Sequence, residues 1–286
     1  MGISFKEVTH LYHGTKKRDI TVALDNINVN INEKDEFIAI VGKTGSGKST
    51  FMGHINGLKL PSKGYVEVFD NKITPKPRKN PNLNVIRKRV GYVFQFPEYQ
   101  LFEETVLKDI MFAPLNFGFS QEEAKKKSIE VAKKLHIVKL LNKSPFNLSG
   151  GQMRKVAIAG ILSYDPDILL LDEPTRGLDP IGGEEIMELF YDIYKNMHKT
   201  IILITHDMDI VYKYATRVIV LNNGKVSYDG DKERLFNGDI YKENSLLKPN
   251  ILSLIDYLNE KLGYDLTYDI HDIDTLFERL KEVYHE

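Results

Sequence analysis

The stretch Phe37-Ile38-Ala39-Ile40-Val41-Gly42-Lys43-Thr44-Gly45-Ser46-Gly47-Lys48-Ser49 decides the fold. Five apolar residues read as a short buried strand, and the chain then turns through three glycines into a helix-like segment. From Gly42 to Ser49 the spacing is G-x-x-x-x-G-K-[ST], in which the glycines let backbone N–H groups curl inward toward phosphate oxygens. The helix that follows adds the positive end of its dipole. Lys48 is placed to reach the β- and γ-phosphates, and Ser49 to ligate magnesium. Lys43, Thr44, Ser46 and Thr50 complete the candidate phosphate cradle with Gly42, Gly45 and Gly47. Alone, this motif specifies a nucleoside triphosphate and not the machine that uses it.

A second element lies further along, at Ile168-Leu169-Leu170-Leu171-Asp172-Glu173. Four apolar residues form a buried strand beneath two carboxylates at its C-terminal end, where ligands gather in open α/β sheets. Asp172 is placed to hold magnesium, and Glu173 to orient and polarise an attacking water. Apolar runs at Glu36–Val41, Val90–Gln95, 168–172, Thr200–Thr205 and Arg217–Asn222 alternate with helix-like segments, which predicts an α/β domain with a parallel sheet. The segment after Phe119 opens with Ser120 and Glu123 as a capping box, and Ile129, Ala132 and Leu135 follow at helical spacing.

The third element is Leu148-Ser149-Gly150-Gly151-Gln152, ahead of the helix-like stretch Met153 to Ala159. Ser and two Gly at a helix start make an anion site. A single chain already has one such site in its phosphate loop, so a second makes sense if it completes a neighbour's. Here the chain resembles the ATPase domains of ABC transporters, whose signature is LSGGQ. The resemblance covers roughly Ile3 to Leu235 and implies a P-loop fold with a mixed, RecA-like sheet core and a helical signature subdomain at about 96–165. It implies that Ser149, Gly150, Gly151 and Gln152 contact the γ-phosphate held by a facing subunit, with Asp179 in the loop that crosses the dimer. It further implies that Gln95 senses magnesium and the attacking water, that His206 is the switch histidine near the γ-phosphate, and that Tyr12 stacks on adenine. Arg176 departs from the family, which usually carries a small residue there; the departure leaves the catalytic assignments intact and could alter contacts across the dimer.

Phe94-Gln95-Phe96-Pro97-Glu98-Tyr99-Gln100-Leu101-Phe102 is more specific. With Glu103-Glu104-Thr105-Val106, the run Gln152 to Gly160 and the tail, it is similar to energy-coupling factor transporters, prokaryotic importers of vitamins and metal ions. Within that group the similarity is to the second ATPase subunit. The resemblance implies ATP and Mg2+ as ligands, a second ATPase subunit in a head-to-tail sandwich, a transmembrane coupling protein, a separate substrate-binding membrane protein, and a peripheral place on the cytoplasmic face of the membrane. Six of the fourteen phenylalanines fall between Phe94 and Phe119. They either line a docking groove beside Gln95 or fill the core of the helical lobe. Two rivals stand beside this reading, another class of ABC transporter and a soluble ABC ATPase of DNA repair or translation. The second usually carries two nucleotide domains, coiled coils or zinc sites, and none of these fits here.

Composition narrows the field further. The 286 residues suffice for one large domain and a smaller appendage, and the absence of cysteine excludes disulfides, thiolate metal sites and cysteine nucleophiles. Met1 to Glu7 has no long apolar core, and Lys6 breaks a myristoylation pattern, so a soluble chain is expected. From Phe236 onward there are 11 acidic and 5 basic residues against a net charge of −1 overall, which does not suit a nucleic-acid binder. The basic stretch Lys72–Arg89 reads as a solvated loop into the next strand.

After 235 the pattern changes to an add-on of two amphipathic helices, 236–286. Ile251, Leu254, Ile255, Leu258 and Leu262 form one apolar face, between Pro249 and Gly263, and Ile273, Leu276, Phe277, Leu280 and Val283 another. They either pack back on their own domain or pair with another subunit.

Overall fold

The computed structural model describes residues 2–14, 19–76, 78, 80 and 83–284, with side chains to residue 281. From the N-terminus run β1 (Ile3–His13), β2 (Ile20–Ile31), β3 (Phe37–Val41), α1 (Lys48–Ile55), β4 (Lys63–Val68), β5 (Asn71–Ile73), α2 (Leu83–Arg89) and β6 (Val90–Val93). A helical stretch follows, α3 (Val106–Asn116), α4 (Gln121–Lys134) and α5 (Gly150–Leu162). The sheet then resumes with β7 (Ile168–Asp172), α6 (Pro180–Met197), β8 (Thr200–Ile204), α7 (Met208–Tyr214), β9 (Arg217–Asn222) and β10 (Lys225–Gly230). The chain closes with α8 (Lys232–Phe236), α9 (Ile240–Glu243), α10 (Asn250–Leu262) and α11 (Ile273–Tyr284).

Six strands form a mixed sheet in the order β10-β9-β3-β8-β7-β6, parallel except for β10. A second, antiparallel sheet has the order β2-β1-β4-β5. Successive side chains of a strand point to opposite faces, so β3 serves two cores at once. Ile38 and Ile40 join Ile202, Ile204 and Leu170 against Phe5, Leu24 and Val66 of the antiparallel sheet. Phe37, Ala39 and Val41 join Leu169, Leu171 and Leu203 beneath α6 and α7. A parallel strand covered on both faces reads as a continuous apolar run, which is why this sheet was visible in the sequence.

The helical stretch has its own core of Val106, Ile110, Ala132, Leu135 and Val156, and the Ser120–Glu123 capping box is formed. The aromatic residues from Phe94 to Phe119 divide between the two readings. Phe94 stacks on Tyr92 and Phe117 packs on Tyr164, whereas Phe96 is exposed beside Tyr99 and Phe102 is exposed against Phe112.

Lys72–Arg89 differs from the expected loop. Asn71–Ile73 pairs with β4, and Leu83–Arg89 is helical, anchored by the buried Ile86. Pro77, Lys79, Pro81 and Asn82 of that stretch lie outside the described residues. The expected strand 90–95 ends at Val93, which releases Phe94 and Gln95 from the ladder.

The last two long helices pack back on their own chain. Ile251, Leu252, Ile255, Leu266, Ile270 and Leu276 belong to the same core as Phe37 and Phe190. The buried face of α10 is rotated from the expected one: Leu252 is fully buried, while Leu254 and Leu262 face solvent, as Ile273 and Phe277 do on α11. The side chain of Val283 lies outside the described residues. Asn250 ties α10 to α7 by donating its backbone N–H and its amide to the Asp209 carboxylate, both at 2.6 Å. Among the described residues no helix is long and apolar enough to cross a membrane. Leu252→Ala is expected to cost about 2–5 kcal/mol of stability, against well under half of that for Leu254→Ala, as read by urea unfolding.

Candidate nucleotide-hydrolysis site

The C-terminal ends of β3, β6, β7 and β8 deliver the candidate residues to one edge of the sheet, as the open α/β geometry requires. The phosphate loop leaves β3 through Gly42, whose φ of 141° and a Cβ that would meet Leu221 O at 2.1 Å exclude any side chain. Gly47, φ 104°, starts α1 and lies equally tight against Ala23 O, at 2.4 Å. Lys48 Nζ donates to the carbonyls of Gly42 and Lys43, at 2.7 and 2.9 Å, which holds the ammonium in the mouth of the loop. Burial lowers its pKa, against the raising pull of Glu173 and Asp172. Ser46 Oγ is buried in this loop without a hydrogen-bond partner among the described residues.

Asp172 ends β7 and accepts from Tyr92 Oη at 3.1 Å and from the Ser49 hydroxyl. Burial raises its pKa, and the neighbouring Glu173 adds to the rise while Tyr92, Ser49 and Lys48 oppose it. Ser49 and Asp172 therefore already sit together as two hard oxygen donors, a set that fits Mg2+ completed by phosphate and water. Among the described residues no group of three or more His, Asp and Glu could hold a metal ion.

Glu173 has the left-handed φ of 48°, uncommon for a residue with a side chain. Its N–H donates to Ile204 O at 2.9 Å, which anchors the turn to the end of β8. Two donors reach its carboxylate, Gln95 Nε2 at 3.1 Å and Arg176 Nη1 at 3.1 Å, and His206 Nε2 lies 3.0 Å from its other oxygen. With Gln95 Nε2 on Glu173, the Gln95 amide oxygen remains as a further hard donor.

These groups line a cavity of about 420 Å3 together with Tyr12, Thr44, Gly45, Thr50, Thr21, Val22 and Ala23. Tyr12 projects from β1 with a partly exposed ring and holds Thr50 Oγ1 at 3.0 Å. Behind it His54 Nδ1 donates to Thr50 O at 2.7 Å, and His10 Nδ1 donates toward Leu60 O at 3.1 Å and His54 Nε2 at 3.2 Å.

Ser149, Gly150, Gly151, Gln152 and Asp179 do not line this cavity. Ser149 caps α5 in a reciprocal box with Gln152, and open space surrounds both Gly150 and Gly151. Asp179 caps α6 by accepting from Gly182 N at 2.9 Å. One chain thus carries a phosphate loop and a separate, solvent-facing helix N-terminus.

Sequence reasoning missed Tyr92 as the partner of Asp172 and the histidine pair under Tyr12. It named Arg176 as a departure with consequences across a dimer, and within the chain that side chain turns back onto Glu173. An aromatic hydroxyl one residue before the end of a strand beside β7 was the available signal for Tyr92.

The ABC transporter family matches residues 24–176, so this is an ATPase of the ABC transporter class. The energy-coupling factor transporter ATP-binding protein EcfA2 of Ligilactobacillus salivarius is 50% identical over 99% of this chain and 96% of its own. That of Bacillus licheniformis is 42% identical over 100% and 99%. CbiO1 of Clostridium perfringens, part of the ABC transporter complex CbiONQ, has a TM-score of 0.73 at 34% identity, covering 91% of this chain and 95% of that one. A dimeric, post-hydrolysis ATP-binding cassette, MJ0796 with ADP and Pi, has a TM-score of 0.70 at 33% identity over 80% of this chain and 98% of its own. The chain belongs to the EcfA2-type ATPases of the energy-coupling factor transporters, and its activity is ATP hydrolysis coupled to transport.

Burial pushes the His54 pKa down from 6.5 to about 4. Protonation thus favours the unfolded chain, and the stabilising contribution is complete above pH 6.5 and lost as pH falls toward 4. Thermal unfolding should show stability declining across that window, with a shallower decline in His54→Gln.

Proposed function

We propose that the cavity cleaves ATP by in-line attack of water on the γ-phosphorus, with Glu173 taking a proton from the water as the bond to the bridging oxygen breaks. The Gln95 and Arg176 donors on the Glu173 carboxylate, with His206 Nε2 3.0 Å from it and Lys48 in the same cavity, are the observation that carries this reading. Such fixed donors hold a general base in one orientation at the reacting centre. Lys48 and the loop amides stabilise charge on the transferred group. Ser49, Asp172 and Gln95 are the residues that would hold Mg2+, which when bound neutralises the β- and γ-phosphate oxygens. Tyr12 offers an aromatic face to adenine at the rim.

The complete site requires a second ATPase subunit. The open turn Ser149-Gly150-Gly151-Gln152 at the head of the 13-residue α5 suits a γ-phosphate held by the facing chain, with Asp179 in the intervening loop. The exposed ring pairs Phe96–Tyr99 and Phe102–Phe112 suit an amphipathic helix of a transmembrane coupling protein. A separate membrane subunit would bind the vitamin, other micronutrient or metal ion, so the chain works as a peripheral subunit on the cytoplasmic face. The outward apolar residues Leu254, Leu262, Ile273 and Phe277 are candidates for pairing between the C-terminal helices of the two ATPases.

Glu173→Gln should lower turnover by about two orders of magnitude or more while ATP still drives dimer formation. Near-native hydrolysis in that variant removes Glu173 from its role. In mixed dimers, a Ser149→Arg subunit should disable only the composite site that contains the other subunit's Lys48. Activity that ignores this pairing in single-site measurements contradicts the shared site.

A further inference from the structure

We propose that Arg154 is a positioning residue that ties the aromatic docking segment to the loop carrying Glu173. The guanidinium is buried, 3% exposed, and forks onto Glu98: Nε donates to Oε2 at 3.1 Å and Nη2 to Oε1 at 2.9 Å. Its remaining arm, Nη1, donates to Pro174 O at 3.2 Å and to Arg176 O at 2.7 Å. One planar group therefore joins three segments that are distant in sequence. They are α5 behind the signature turn, the 3-10 turn Pro97–Gln100, and the turn that follows Glu173.

The geometry has a mechanical meaning. A bidentate guanidinium–carboxylate pair is directional and rigid, so neither end moves without turning the other. Glu98 lies between Phe96 and Tyr99, both solvent-facing. On the opposite side, the two carbonyls that Arg154 holds bracket Thr175, the first belonging to Pro174, which directly follows Glu173 with its left-handed backbone. A strained conformation of this kind persists only where its surroundings over-determine it. A buried ion pair is weak evidence for stability, because desolvation offsets its attraction. Its use here is to fix the angle of the Glu173 carboxylate relative to the docking face and the signature helix. The proposal rests on Glu173 as the base and adds the element that aims it.

The test is the double variant Glu98→Met/Arg154→Met in the assembled ATPase dimer, since exchange of a buried pair for apolar residues of similar size is often neutral for folding. We expect kcat to fall about 10- to 100-fold, as small misplacements near the chemistry do. KM for ATP and the affinity for a fluorescent ATP analogue should stay within about twofold, because the hydrogen bonds of Arg154 go to Glu98, Pro174 and Arg176 and not to the phosphate loop. If the double variant does not fold, Arg154→Lys serves instead: it keeps a cation for Glu98 but cannot fork to both carbonyls, and the same split is expected. A folded variant with kcat within about twofold of native overturns the proposal, as does a fall in kcat matched by lost nucleotide affinity. Glu173→Gln assayed in parallel separates the two ideas. If it is inactive while Arg154 variants are normal, only the tether fails; if it is active, the reading of Glu173 fails.

Discussion

The whole site depends on holding one carboxylate still. Glu173 stands one residue past the end of a buried strand, on a left-handed backbone that an extended continuation would not provide. Its N–H is fixed to β8, and its carboxylate receives donors from Gln95 beyond β6 and from the turn that follows it, with His206 beyond β8 at 3.0 Å. Each of these donors is in reach only because the parallel strands β6, β7 and β8 stop together. Burial acts on the neighbouring charges in opposite directions, lowering the pKa of Lys48 and raising that of Asp172. The attraction between them partly offsets both shifts, while the ammonium itself is held by the Gly42 and Lys43 carbonyls.

What could be read in the sequence was whatever backbone geometry or two-sided burial writes directly into residue choice. Gly42 and Gly47 are needed because carbonyls of Leu221 and Ala23 leave no room for a Cβ, and that need gives the motif its spacing. β3, β7 and β8 announce themselves because neither face is polar. The long antiparallel pair β1–β2 was not legible. Its ladder carries register shifts between Phe5 and Leu11, which break the simple alternation of apolar and polar residues. The expected face of α10 was rotated because its apolar stripe is wider than the surface its own chain can cover, and periodicity alone does not say which edge is buried.

Interactions across long sequence distances were the other blind spot. Arg154 sits beside Lys155 on a helix and looks like one more surface cation. Nothing local shows that Glu98, fifty-six residues earlier, accepts its fork. Arg176 stood out only because the family usually carries a small residue there. The direction in which it turns is a property of the folded loop.

The solvent-facing start of α5 has a consequence for rate laws. On the shared-site proposal, the open turn at Gly150 and Gly151, which does not line the cavity of its own chain, leaves a lone subunit with two unmatched halves. In dilute solution the population of working catalysts then follows the square of the subunit concentration, and dilution extinguishes activity without unfolding anything. Fastening two ATPases to one membrane scaffold replaces that encounter with a fixed local concentration of about the millimolar order. Turnover then becomes first order in assembled transporters, and free subunits left in solution consume little ATP.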